Sequence, residues 1–237
     1  MLSPEGRVVM ISGANRGIGL ATANLLAERG YKLSLGARDL GALETATMHL
    51  PQDRTARFEW DATRPKTSPA WAEGTLIRFG RIDAVVANAG ISPRARLDDD
   101  DETAIDEMWE VNFKGPLRVI RAALPALRDS GHGRVVNVAS LAGKRVLSDN
   151  FGYSASKFAA VALTHALRRA GWEDGLRATA LCPGMVDTDM VASAQIPEGQ
   201  FKIEPDAIAE SVAYVLSLPN NATVAELLVN SRFEPAI

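Results

Sequence analysis

Tyr153 and Lys157 stand four residues apart in the stretch NFGYSASKFAA, residues 150–160. On a helix, positions i and i+4 share a face, so phenol and ammonium can meet. A free phenol ionises at about pH 10, and a neighbouring cation lowers that value by stabilising phenolate. Such a pair can give or take a proton at a carbonyl or alcohol oxygen. The same spacing also occurs on ordinary surface helices, so the pair alone does not decide between the two. A second stretch, SGANRGIG at 12–19, has glycines at 13, 17 and 19. They permit a tight turn and close approach of backbone to a ligand. A helix starting there offers free N–H groups to a phosphate.

Short β-rich runs alternate with helical patterns along the whole chain and must position these groups. RVVMIS (7–12), KLSLGA (32–37), ARFEWDA (56–62), DAVVANAG (83–90), RVVNVAS (134–140), LRATALCPG (176–184) and AELLVN (225–230) read as seven strands. Helices are expected over 19–30, 39–50, around Trp71, 154–173 and 204–218. The stretch 102–131 reads as one long helical region that Pro116 and Pro125 bend or interrupt. Regular alternation of strand and helix implies a mostly parallel sheet covered on both faces. With no internal repeat or low-complexity linker, residues 1–237 read as one domain. The glycine-rich turn then lies between the first strand and the first helix, where a phosphate-binding turn belongs.

The bulk numbers limit the alternatives. The chain has 237 residues, 46% hydrophobic and 23% charged, which suits a globular protein with a full core. A net charge of −3 argues against general nucleic-acid binding. One cysteine, Cys182, forms no intrachain disulfide and fits a reducing compartment. No signal core or membrane-length apolar run is seen, so a cytoplasmic protein is expected. His49, His132 and His165 lack metal-ligand spacing, and no metal is assigned. The acidic run DDDDE (98–102) reads as a solvated helix start.

The glycine pattern G-x-x-x-G-x-G resembles the T-G-x-x-x-G-x-G element of the short-chain dehydrogenase/reductase family, with Ser12 in place of threonine. ANAG (87–90) resembles that family's N-N-A-G element, with Ala87 replacing the first asparagine. VN at 111–112, Ser140 at a strand end, Tyr153-x-x-x-Lys157 and CPGMVDT (182–188) match further elements in order. The resemblance implies an α/β, doubly wound Rossmann-type domain with a seven-stranded, mostly parallel sheet and helices on both faces. It implies an enzyme that transfers hydride between a nicotinamide cofactor and a carbonyl/alcohol pair. Tyr153 is then the acid/base, Ser140 orients the substrate oxygen, and Lys157 tunes the phenol and bonds the nicotinamide ribose. Asn112 holds a water on the proton path. Ser140 and Asn112 also have plainer readings as turn or helix caps.

By the same resemblance, Gly13, Asn15, Arg16, Gly17, Ile18 and Gly19 cradle the cofactor phosphates. Asp61 and Ala62 meet the adenine, Asn88, Ala89 and Gly90 line the adenosine side, and Pro183, Gly184, Val186 and Thr188 hold the carboxamide end. Thr188 is alternatively a helix cap. Where NAD enzymes place an acid after the second strand, this chain has Ala37 followed by Arg38. Arg38, joined by Arg16, suits a 2′-phosphate and favours NADP(H) over NAD(H). Asp39 either caps the next helix or serves the ribose. Residues 187–203 fit a substrate-covering loop, with Met190, Val191, Ile196 and Phe201 hinting at an apolar pocket. The charges of Arg94, Arg96, Lys144 and Arg145 read as solvated loop residues. Ala155, Ala159, Ala160 and Ala162 would let the following helix pack closely in a homodimer or homotetramer. Competing readings are an NAD-dependent alcohol dehydrogenase, a cofactor-sensing regulatory protein, and a synthase or dehydratase without net redox change.

Overall fold

The computed structural model describes residues 1–146, 148–192 and 201–231. Part of the expected substrate loop, 193–200 with Ile196, lies outside the described residues. Seven strands form one sheet: β1 (Val8–Ser12), β2 (Lys32–Ala37), β3 (Thr55–Glu59), β4 (Ala84–Ala87), β5 (Arg134–Val138), β6 (Arg177–Pro183) and β7 (Glu226–Val229). Their order is β3-β2-β1-β4-β5-β6-β7 and every pairing is parallel. β1, β4 and β5 are buried at every residue, which explains why their sequences are apolar on both alternations.

Helices cover both faces. On one side α1 (Gly17–Glu28) packs against α7 (Pro205–Ser217), with Ile11, Leu26, Leu33, Val212 and Leu216 in the core between them and the sheet. α2 (Leu40–Thr47) adds Leu43 to this side. The other face carries α3 (Thr67–Phe79), α5 (Gly115–Asp129) and α6 (Phe151–Gly171) over Met10, Val85, Ile120 and Leu127. Trp60 and Trp71 are buried there with ring centroids 5.7 Å apart. Both indole N–H groups find hydroxyl partners, Ser68 and Ser34, at 2.9 Å. Gly36 makes room for this pair, since a Cβ on it would come within 2.8 Å of the Trp71 ring.

The expected helix over 102–131 is divided differently. α4 (Thr103–Met108) runs into a wide π-helical turn at Trp109–Lys114, and α5 follows. Pro116 sits in the first turn of α5, where its missing N–H costs little, and Pro125 lies inside a helix that continues to Asp129. The break therefore comes before Pro116. The π-helical turn absorbs it and carries Asn112, a residue type and setting typical of functional sites. α6 begins three residues earlier than its pattern suggested, because Asn150 caps it. Among the described residues no helix is long and apolar enough to cross a membrane, and no cluster of potential metal ligands forms.

The strand order reverses between β1 and β4: β2 and β3 lie to one side, β5 to β7 to the other. Loops leaving the carboxyl ends of those two strands diverge and open a crevice, the usual ligand position in such sheets.

Candidate active site

A cleft of about 420 Å³ opens at this switch point, a size suited to a small ligand or cofactor. Gly13 and Gly17 adopt left-handed φ of 67° and 51°, which non-glycine residues avoid. Gly19 is required for packing: a Cβ there would lie 2.1 Å from the Gly13 carbonyl oxygen. It does not line the cleft, unlike every other expected cofactor residue. α1 starts at Gly17 after Arg16, and no side chain caps it. Its first N–H groups are thus open to an anion.

The loop is fastened from the neighbouring strand. The Ser12 hydroxyl accepts from the amides of Asn88 (3.0 Å) and Ala89 (3.1 Å). Asn88 Nδ2 donates back to the carbonyls of Ser12 (3.0 Å) and Gly13 (3.3 Å). Ser12 in the threonine position and Asn88 therefore join the ends of β1 and β4. The sequence placed Asn88 beside the cofactor. It also holds the loop's shape, which pattern alone could not reveal.

Ser140, Tyr153 and Lys157 meet on one wall of the cleft. Ser140 caps the short turn after β5, accepting from Ala142 N at 3.1 Å. The plain capping reading is thus correct as far as it goes, yet the hydroxyl also contacts Tyr153. Burial pushes the Tyr153 phenol above its usual value, and the Ser140 hydrogen bond acts against that rise. Lys157 is buried, only 4% exposed, and burial brings it down to about 8, with Cys182 acting in the opposite direction. Its Nζ donates to Val138 O at 2.9 Å and stands 5.7 Å from the centre of the Tyr153 ring.

The expected lowering of the phenol by Lys157 is not seen: burial raises the phenol, and the opposing influence is the Ser140 hydrogen bond. Burial thus favours the protonated phenol and loosens the proton on the neighbouring lysine to about 8.

Asn112 lies behind this wall, 1% exposed. Its Oδ1 accepts from Ile91 N at 2.9 Å. Its Nδ2 donates to Ile91 O (2.9 Å) and Ser156 Oγ (3.0 Å). Ser156 Oγ in turn donates to Tyr153 O at 2.8 Å. A side chain on Gly90 would intrude between Asn112 and Lys157, its Cβ lying 3.2 Å from Asn112 Oδ1 and 3.5 Å from Lys157 Nζ. Ser156, unremarked in the motif, links the asparagine to the helical turn that carries Tyr153.

At the end of the cleft expected to hold the adenosine, Ala37 closes β2 and is buried, while Arg38 is exposed without a hydrogen-bond or ion-pair partner among the described residues. Asp39 is the N-cap of α2, its Oδ1 accepting from Ala42 N at 2.9 Å. Asp61 accepts from Thr63 N (2.9 Å) and Thr63 Oγ1 (2.8 Å) in a local turn at the cleft wall. Arg16 reaches across to Asp189 at 3.0 Å, a partner the sequence did not suggest. Thr188 occupies a helix-cap position without making a cap bond. Its Cγ2 would be 3.0 Å from a Cβ on Gly17, so it abuts the glycine loop.

Arg94, Arg96 and Lys144 do not line the cleft and pair with Asp149, Asp98 and Glu226 respectively. Cys182 is buried, its thiol pushed up to about 11, chiefly by burial, which makes it a packing residue. The uncapped helix start and the glycine cradle fit a dinucleotide cofactor, and Arg38, unpaired among the described residues, stands at the same cleft.

Residues 7–199 match the family described as short chain dehydrogenase. The chain is 39% identical over 222 residues to an agropine synthesis reductase from Rhizobium rhizogenes, covering 93% of this chain and 51% of that protein. It thus spans about half the length of that relative. It is 35% identical over 241 residues to an uncharacterized oxidoreductase from Staphylococcus saprophyticus, covering 97% of each. Among solved structures, an alcohol dehydrogenase from the archaeon Thermococcus sibiricus, complexed with 5-hydroxy-NADP, superposes with a TM-score of 0.88 at 35% identity. That match covers 98% of this chain and 99% of the other. Levodione reductase gives a TM-score of 0.87 at 29% identity, covering 95% and 96%.

Proposed function

The chain belongs to the short-chain dehydrogenase family and is an NAD(P)-dependent oxidoreductase; from that premise we propose that it prefers NADP(H) and interconverts a ketone or aldehyde with its alcohol. The observation that carries the cofactor preference is the division of labour at Arg38 and Asp39. Asp39, the acid that follows the end of β2 in the chain, spends Oδ1 on capping α2, while Arg38 has no hydrogen-bond or ion-pair partner among the described residues and lines the cleft. A guanidinium there binds a 2′-phosphate through charge-assisted, bidentate bonds, which a neutral ribose diol cannot match. The NADP analogue bound to the archaeal alcohol dehydrogenase supports the same reading.

The nicotinamide, when bound, exchanges a hydride with the substrate carbon. Tyr153 gives its phenolic proton to the carbonyl oxygen in reduction and takes it back in oxidation. Ser140 donates a hydrogen bond to the same oxygen and fixes it beside the phenol. Lys157 stabilises the phenolate that remains and returns a proton to it, and Asn112 completes the route to solvent through the space kept open by Gly90.

We read residues 1–237 as one such domain, with Cys182 reduced in the cytoplasm. The exposed Trp109, Phe151 and Phe158 offer a surface to a second copy in a homo-oligomer.

Fluorescence titration of wild type and Arg38→Ala with NADPH and NADH tests the cofactor reading. Wild type is expected to prefer NADPH more than about tenfold, roughly 1.4 kcal/mol, and Arg38→Ala to lose that preference. Better binding of NADH to wild type would sink it.

A further inference from the structure

We propose that Asn150 is a positioning residue that ties the loop after β4 to the catalytic turn of α6. The proposal rests on the oxidoreductase reading above, in which Tyr153 acts on the substrate oxygen. Asn150 occupies the N-cap of α6, three residues before Tyr153. An N-cap needs only an acceptor, and Ser, Thr and Asp supply one as well as Asn. Here the whole amide is used. Oδ1 accepts from Tyr153 N at 3.4 Å and from Ala95 N at 3.1 Å. Nδ2 donates to Pro93 O at 3.0 Å and Ser92 Oγ at 3.3 Å. Three of these four bonds leave the helix and hold residues 92–95.

The same junction is closed by backbone and packing. Gly152 N donates to Ala95 O at 3.1 Å. A Cβ on Gly152 would meet Ala95 Cβ at 2.9 Å and Met108 Cε at 2.8 Å, so loop and helix are in direct contact. The clamped part of that loop begins at Ile91, which lines the cleft and is gripped at both N–H and C=O by Asn112. Two asparagine amides thus clamp one short loop. Asn112 holds its start and, through Ser156, the Tyr153 carbonyl; Asn150 holds the rest and the Tyr153 amide. The loop and the phenol are thereby fixed relative to each other, which is what a substrate oxygen between them requires.

Asn150→Ser separates this role from capping. Serine keeps a neutral cap acceptor but is too short to reach Ser92 and Pro93; Asn150→Ala removes both functions. Hydrogen exchange followed by mass spectrometry reads the loop directly, and steady-state kinetics with NADPH and 4-nitrobenzaldehyde reads its consequence.

In Asn150→Ser, amides in 91–96 are expected to exchange about tenfold faster while 151–157 keeps wild-type protection. The value of kcat/KM should fall about tenfold, mainly through KM, from misplacement of this kind. Wild-type exchange in 91–96 together with a wild-type KM would reduce Asn150 to a helix cap and overturn the proposal. Should the wild type bind NADPH yet leave the aldehyde unreduced, the carbonyl reading fails, and the exchange comparison alone still decides the role of Asn150.

Discussion

The two ends of the sheet treat their cations in opposite ways. At the amino ends of the strands, Arg7, Arg134 and Arg177 precede or begin β1, β5 and β6. Arg134 is 2% exposed and spends its guanidinium on the carbonyls of Leu218, Gly133 and Gly175 and on Asn220 Oδ1, at 2.7–3.2 Å. Arg7 bonds Leu216 O at 2.9 Å and Arg177 bonds the carbonyls of Asn220, Trp172 and Leu176. At the carboxyl ends, Lys157 has a single carbonyl partner, Val138, and Arg38 has none among the described residues. A buried donor with all its bonds made holds loops together; a donor with bonds unmade beside a cleft is available to a ligand. The same physics makes one end a staple and the other a site.

Removing the phenol proposed as proton donor should give the largest effect. Tyr153→Phe is expected to lower kcat by about 10³-fold while NADPH affinity stays within about threefold, since general acid–base catalysis is worth 10²–10⁴. Steady-state rates and fluorescence titration check this. Retained turnover would move the acid elsewhere in the cleft.

A change at the opposite end should act on stability alone. Arg134→Ala strands several buried carbonyls and is expected to cost about 2–4 kcal/mol in urea unfolding, with kcat per folded molecule unchanged. Equal loss of activity and stability would erase the contrast between the two ends.

The smallest effect concerns pH. Lys157 binds its proton less tightly in the folded chain, at about 8, than at the ordinary lysine value of 10.5. The unfolded state therefore holds more protons between these values, and this group adds stability as pH rises through 8. Relative to Lys157→Met, wild type should gain up to about 1 kcal/mol between pH 8 and pH 9. Below pH 7 the difference should be flat. Urea unfolding across that range, kept below the titration of Tyr153 and Cys182, measures it.

The alternation of strands and helices was legible because a doubly covered parallel sheet forces apolar residues onto both faces of β1, β4 and β5, a pattern visible residue by residue. Tyr153, Lys157, Ser140 and the glycine turn were legible because their spacing is local. Asp39 was left open between cap and ribose ligand; its bond to Ala42 N shows the cap, while the residue also lines the cleft. The π-helical turn under Asn112 was not legible, since the prolines marked a break but not its position or width.

Sequence by itself determined the alternation of strands and helices, the glycine turn between β1 and α1, and the i, i+4 spacing of Tyr153 and Lys157, because each is written in near neighbours along the chain. Tertiary structure alone decided that burial raises the phenol and lowers the lysine. It alone also fastened Asn88 to Ser12, turned Arg16 toward Asp189, and clamped loop 92–95 with Asn150. Those pairings join residues tens to more than a hundred positions apart, and desolvation depends on everything packed around a group. Neither quantity exists until the chain has folded.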